Sequence, residues 1–184
     1  GEVRGGVGIS LDVTGRTAAE RESKRHAERL SRLLNATSIE GTFETRVEEV
    51  LREMTSMLGL RSGLLALCER DTYRCIASYA ESGTTLSPGD ELPLAETYCA
   101  ITLDVGDAIA ISHMAESEHR EHPCYEAIGL EAYIGAPVVV DGSVYGAISF
   151  ASSEPAEKPL TETDKDLVRL AAQWAGAQLE RQRR

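Results

Sequence analysis

Four cysteines and four histidines hold most of the reactive chemistry available to this 184-residue chain. Cys68 and Cys75 stand symmetrically about Asp71-Thr72. A two-residue turn there places them opposite each other on neighbouring strands, on one face. Such a pair closes a cross-strand disulfide in an oxidising compartment, or packs as two reduced core thiols in a reducing one. Cys99 lies in Glu96-Thr97-Tyr98-Cys99 and Cys124 in His122-Pro123-Cys124-Tyr125. Either works as a nucleophile only with a lowered pKa and a site that holds its substrate. His113, His119, His122, Cys124 and Cys99 are also zinc-type donors. However, His119-x-x-His122-x-Cys124 follows no standard ligand spacing, and the nearby Glu116, Glu118 and Glu121 mark a solvated loop. Tyr79, Tyr98, Tyr125, Tyr133 and Tyr145 offer either pocket walls or core and rim packing.

Composition narrows the field. Hydrophobic residues make up 42% of the chain, which suits a globular domain with a real core. The net charge of −11 argues against nucleic acid as a partner, because displacing counterions from phosphate requires positive charge. Nineteen basic residues comprise three Lys and sixteen Arg, a bias that fits a GC-rich genome. No apolar run reaches the length of a membrane span and no signal-peptide pattern opens the chain, so the expected compartment is the cytoplasm, with reduced thiols. No Gly-rich loop leads into Lys-Ser/Thr, so phosphate cradling of the P-loop type is not expected.

The elements that must position these residues read clearly along most of the chain. Gly1–Leu11 alternates like a single strand. A charged helix runs from about Thr17 to Asn35, with Glu20/Lys24 and Glu28/Arg32 at i,i+4 and a narrow stripe of Ala27, Leu30 and Leu34. Within it, His26 reads as an exposed helix histidine. A second helix over Thr42–Leu58 puts Phe43, Val47, Val50, Leu51, Met54 and Leu58 on one face, with Gly59 as its terminator. Strands follow at Gly63–Glu69 and Tyr73–Ala80, then a loop (Ser82–Asp90), a short helix (Glu96–Leu103), a strand (Ala108–Ser112) and a helix near Pro123–Ile128. Apolar runs at Ala132–Val140 and Ser143–Ala151 flank Asp141-Gly142, the strongest short-range hairpin signal. Thr161-x-x-Asp164 opens a last helix as a capping box. On that helix Leu167, Ala171, Trp174 and Gln178 share a face, so Trp174 is expected to pack on the sheet or on a partner.

The segment Gly129–Phe150, with Gly135-Ala136-Pro137, a polar turn and Tyr145-Gly146-Ala147-Ile148-Ser149-Phe150, resembles the C-terminal strand pair of GAF domains. The resemblance covers roughly Ile39–Arg184. It implies an α+β fold: an antiparallel sheet with long N- and C-terminal helices on one face and short lid helices over a pocket on the other. Cys99 and Cys124 would lie on the two lid helices, and Tyr98, Cys99, His113, Cys124, Tyr125, Tyr133 and Ser149 are the candidate pocket residues. Asp12-Val13-Thr14 before a charged helix resembles the end of a PAS domain. The implied organisation is a PAS remnant over 1–14, a signalling helix over 15–38 and a GAF domain over 39–184.

By this resemblance the chain is a non-catalytic sensory module of a signalling protein, of the sensor histidine kinase type. It would bind a small molecule or sense redox state and relay the event through the terminal helices of a homodimer to a downstream output domain. The resemblance does not identify the ligand or any cofactor. An alternative is a thiol-dependent enzyme similar to the free methionine sulfoxide reductases, using Cys124 and Cys99. That family carries acidic residues on its pocket strands, where this chain has Tyr133, Ser149 and Ala151. A ligand-free dimerising spacer is a further alternative. The His that follows the attachment Cys of bilin-binding GAF domains is replaced by Tyr125 here, and the Asn-Lys…Phe…Asp-Glu signature of the cyclic-nucleotide-binding members is missing.

Overall fold

The computed structural model describes the backbone of residues 6–83 and 86–184, with side chains from residue 15 onward. In chain order the elements are α1 (Gly6–Thr37), α2 (Phe43–Leu58), β1 (Ser62–Glu69), β2 (Thr72–Ala80), β3 (Glu91–Pro93), α3 (Tyr98–Val105), β4 (Ile109–Ile111), α4 (Pro123–Ile128), β5 (Ala132–Val140), β6 (Ser143–Ser152) and α5 (Glu162–Arg183). The strands form one sheet in the order β3-β2-β1-β6-β5-β4, antiparallel throughout. The fold is α+β.

Each face of the sheet is covered by different helices. Behind it, α2 lies on β1 and β2, α5 lies on β5 and β6, and α1 packs against α2 and α5. The predicted apolar stripe of α2 points inward: Val47, Val50, Leu51 and Met54 are fully buried. They join Leu65, Ile134, Val138, Ile148, Phe150, Leu167 and Ala171 in the main core. Gly176 lets α5 come close, since a Cβ there would lie 2.3 Å from the Val139 carbonyl oxygen. Trp174 packs against this core, with the Arg46 guanidinium 5.7 Å from its ring. On the front face, α3 packs on β5 and β6.

Caps set the helix ends. The Thr42 hydroxyl accepts from the Thr45 amide, and Gly59, at φ 67°, closes α2 in the left-handed region. At α5 the reciprocal capping box of Thr161 and Asp164 is complete. Asp164 also accepts from Arg29 of α1 at 2.5 Å, with both side chains largely buried, so one carboxylate caps α5 and anchors α1.

Several expectations need correction. Gly6–Leu11, read as part of a strand, is helical and continuous with α1, while residues 1–5 lie outside the described residues. A lone strand leaves its ladder groups unpaired, whereas extending a formed helix adds one bond per residue fixed. His26 is half-buried rather than exposed, and its Nδ1 is buried. The β1–β2 turn is Arg70-Asp71, with Arg70 at φ 55°, so Cys68 faces Tyr73 and Cys75 faces Ala66. The symmetric pairing of Cys68 with Cys75 is therefore wrong by two residues. By contrast, Asp141 and Gly142 have φ of 50° and 77°, as the type I′ turn requires. Strand β3 was not foreseen; three residues give too short a pattern to register.

One irregularity aims the β2 side chains. The β1–β2 register shifts between Leu65 and Ala66, leaving Ile76 as the extra residue of a β-bulge. Before it, Tyr73 and Cys75 join the front-face cluster; after it, Ala77 and Tyr79 pack toward the back core.

Replacing Asp164 with Ala removes both the cap and the α1 anchor, leaving the Arg29 guanidinium half-paired. The expected loss is about 2–3 kcal/mol of unfolding free energy, read by urea denaturation. Replacing Asp166, whose side chain is exposed and paired only with Arg169 in its own helix, should cost less than about 0.5 kcal/mol.

Candidate functional site

A cavity of about 490 Å³ opens on the front face, over β1, β2 and β6 and under α3. Its origin lies in residue size. On β6 the back-facing positions are large (Ile148, Phe150) and the front-facing ones small (Ala147, Ser149, Ala151), and on β1 the front-facing Leu64 is followed by Ala66. The helices cannot close down on both faces, and the shortfall on the small-residue side remains as space.

Tyr98, Cys99, Tyr133 and Ser149, four of the candidate pocket residues, line this cavity together. Tyr133 is the organising group. Its hydroxyl lies 2.7 Å from Thr102 Oγ1 and 3.8 Å from Cys99 Sγ, so β5 is tied to α3. The ring reaches this position by folding over Gly135, where a Cβ would stand 2.4 Å from the Tyr133 hydroxyl oxygen. Tyr98 donates to the Leu130 carbonyl at 2.6 Å, and its ring centroid lies 5.3 Å from that of Tyr133. Burial pushes the Tyr98 and Tyr133 phenols well above their ordinary range, so both stay protonated donors.

His113, Cys124 and Tyr125 are placed elsewhere. Cys124 is fully buried in a satellite core with Ile101, Ile111 and Met114, and burial raises its thiol to about 11. Tyr125 donates a very short hydrogen bond to Glu131, and His113 Nε2 lies 3.6 Å from the same carboxylate. His122 caps α4, accepting from the Cys124 amide at 3.2 Å. Among the described residues, no group of three or more His, Cys, Asp or Glu is arranged to hold a metal ion.

Lining residues absent from the sequence-based set include Leu64, Tyr73, Leu86, Leu92, Leu130 and Ser152. Ser152 has the parity of the back-facing Ile148 and Phe150 and reaches the cavity only as the last residue of β6, which alternation does not foretell. Tyr73 depends on the bulge at Ile76, and Leu86 and Leu92 on how the 82–90 loop folds back, where the Cys75 amide donates to the Asp90 carbonyl at 2.9 Å. At the mouth stands Arg61, paired with Glu81 at 2.8 Å. The described lining residues include no carboxylate.

The four thiols differ. Cys75 sits 3.6 Å from the Ala77 carbonyl oxygen, and burial raises it to about 11. Interaction between Cys68 and Cys99 raises the former thiol and lowers the latter, and the Tyr133 hydroxyl donating to Cys99 Sγ also works against the effect of its burial.

Removing the Tyr133 hydroxyl strands the buried Thr102. Tyr133→Phe should therefore lower stability by about 1–2 kcal/mol in chemical denaturation while keeping the fold by circular dichroism.

Comparison with known proteins gives a consistent picture. A family model described as GAF domain matches residues 42–179. No curated protein sequence matches significantly. Among solved structures, the chain superposes on the chromophore-binding domain of the R. palustris bacteriophytochrome RpBphP3 with a TM-score of 0.66 at 14% identity, covering 87% of this chain and 60% of that one. The GAF domain of an Acinetobacter phosphoenolpyruvate-protein phosphotransferase gives 0.66 at 12% identity, covering 83% and 90%. The free methionine-R-sulfoxide reductase of Neisseria meningitidis, in complex with its substrate, gives 0.65 at 14% identity, covering 86% and 92%.

Proposed function

The chain belongs to the GAF domain family, and from that premise we propose that it is a non-catalytic sensory module of a multidomain signalling protein, of the sensor kinase type, that binds a small molecule on the front face of its sheet. The observation that carries this reading is the cavity of about 490 Å³ beneath α3, a volume in the range of small-molecule sites. Its walls are mainly apolar and aromatic, with serine hydroxyls and one guanidinium near the mouth. A neutral or singly anionic, largely apolar ligand fits that lining; a cation would meet no carboxylate.

A sensor also needs a path out. α3 stands on β5 and β6, and α5 lies on the opposite face of the same strands. Motion of α3 on ligand entry is felt by α5 through the shared strands, and by α1 through the Arg29–Asp164 pair. The ligand shifts this arrangement only by as much as it favours one packing over the other. In the proposed full-length protein, α1 and α5 pair with those of a second copy. Leu34 and Leu170, 65% and 42% exposed on these helices, are suited to that contact. The upstream PAS domain and downstream output domain belong to the same proposal. No helix among the described residues is long and apolar enough to cross a membrane, and a cytoplasmic setting fits this reading.

The thiol-enzyme alternative is less favoured by the geometry, because Cys124 lies away from the cavity wall and the described lining residues bring no carboxylate to hold an amino-acid substrate's ammonium group.

The test is a thermal-shift screen of small, mainly apolar neutral and monocarboxylate compounds. At saturating concentration a true ligand should raise the melting temperature by about 5 °C or more. Ser149→Trp, which fills the cavity, should abolish the shift. Hits that persist in Ser149→Trp, or a screen with no hits, count against ligand binding in this cavity. Sedimentation of the chain with Leu34→Glu and Leu170→Glu checks the dimer separately: the native chain should be dimeric and the double variant monomeric.

A further inference from the structure

A thiol in the cavity wall shares its packing cluster with a second thiol, a pairing that the spacing in the sequence does not suggest. Cys99, on α3, is 3% exposed and lines the cavity. Cys68, near the end of β1, is half-buried and packs against the same cluster. The two thiols perturb each other's titration, Cys68 upward and Cys99 downward. The Tyr133 hydroxyl donates to Cys99 Sγ at 3.8 Å, and Ser149 lines the same wall. A buried hydroxyl donor and a neighbouring thiol therefore flank one sulfur at the edge of an open space. The two remaining cysteines have no such setting: Cys75 turns to backbone carbonyls, and Cys124 is enclosed in the satellite core.

We propose that Cys99 and Cys68 form an oxidation site for small hydroperoxides, in which Cys99 is the sulfur attacked first and Cys68 closes a disulfide onto it. The nucleophile is the thiolate, and the Tyr133 hydroxyl donating to Cys99 favours that form. Cys99 sulfur attacks one peroxide oxygen; the S–O bond forms, the O–O bond breaks, and the second oxygen leaves with a proton as water or alcohol. Cys99 is then a sulfenic acid. Cys68 sulfur attacks Cys99 sulfur; the S–S bond forms, the S–O bond breaks, and hydroxide leaves with the Cys68 proton as water. Two thiols lose two electrons and the hydroperoxide gains them.

The site goes beyond the ligand reading and does not depend on it, since a hydroperoxide needs only passage through the cavity. A disulfide requires the sulfurs to come within about 2.05 Å, so contact distance must shorten. One sulfur is on α3 and the other on the sheet. The bond would therefore staple α3 to β1.

The test uses the folded, full chain and hydrogen peroxide. After oxidation, free thiols are alkylated and the protein is digested with trypsin and Glu-C, the latter because Cys75 and Cys99 share the tryptic peptide 75–120. The expected product joins the Cys68 and Cys99 peptides with loss of two hydrogens, while Cys75 and Cys124 remain alkylated. Cys68→Ser should accumulate a dimedone-reactive sulfenic acid at Cys99, and Cys124→Ser should keep the disulfide. The proposal is overturned if native chain yields a disulfide involving Cys75 or Cys124, if all four thiols alkylate after oxidation, or if the Cys68–Cys99 bond forms only in urea. Because the native chain alone decides between these outcomes, poor folding of a variant does not rescue the idea.

Discussion

The structure depends on an inequality between the two faces of its central strands. β1, β6 and β5 are covered on both sides, so each strand must satisfy two packing problems with alternate residues. On the back, Leu65, Ile134, Val138, Ile148 and Phe150 fill the space under α2 and α5. On the front, Ala66, Gly135, Ala147, Ser149 and Ala151 do not. Large front-facing residues would bring α3 onto a solid core. With small ones, α3 is held off the sheet by its own Tyr98 against Tyr133 of β5, and the space between becomes a cavity.

Tyr133 then serves two purposes. Its ring supports α3, and its hydroxyl fixes α3 in place through Thr102 while reaching Cys99. The same small residues that make room for a ligand thus leave a sulfur in the cavity wall with a hydroxyl donor beside it. The back face supplies the stability this requires: α5 is capped and anchored at Asp164, and its close approach at Gly176 seals the core under β5. Ligand affinity and a firm fold are thereby assigned to opposite sides of one sheet.

Much of the fold was legible because several signals agreed. The β5–β6 hairpin had alternation and an Asp-Gly turn, α2 had a full apolar face and a terminal glycine, and α5 had its capping box. Where signals were single, reading failed. Arg70 adopts the left-handed conformation with no residue preference to announce it, so the β1–β2 register was misplaced. The bulge at Ile76 redirects Tyr73 and Ala77 to opposite faces, which strict alternation cannot express. The site was legible in part for a related reason. Tyr133 and Ser149 sit on strands whose facing alternation settles, and Tyr98 and Cys99 were placed on a lid helix by the family resemblance. His113, Cys124 and Tyr125 lie around α4, a six-residue helix too short for its orientation to be read from periodicity. The contact of Cys68 with Cys99 joins a strand end to a helix, and only the tertiary packing brings them together.

The claim that small front-facing residues leave α3 standing over usable space is tested most directly by a crystal structure of the chain soaked with small aromatic fragments. The account predicts fragment density on the front face between Tyr98, Tyr133 and Leu130, with the back core unchanged. A structure in which α3 has settled onto Ser149 and Ala151, with fragments bound only elsewhere, would contradict it.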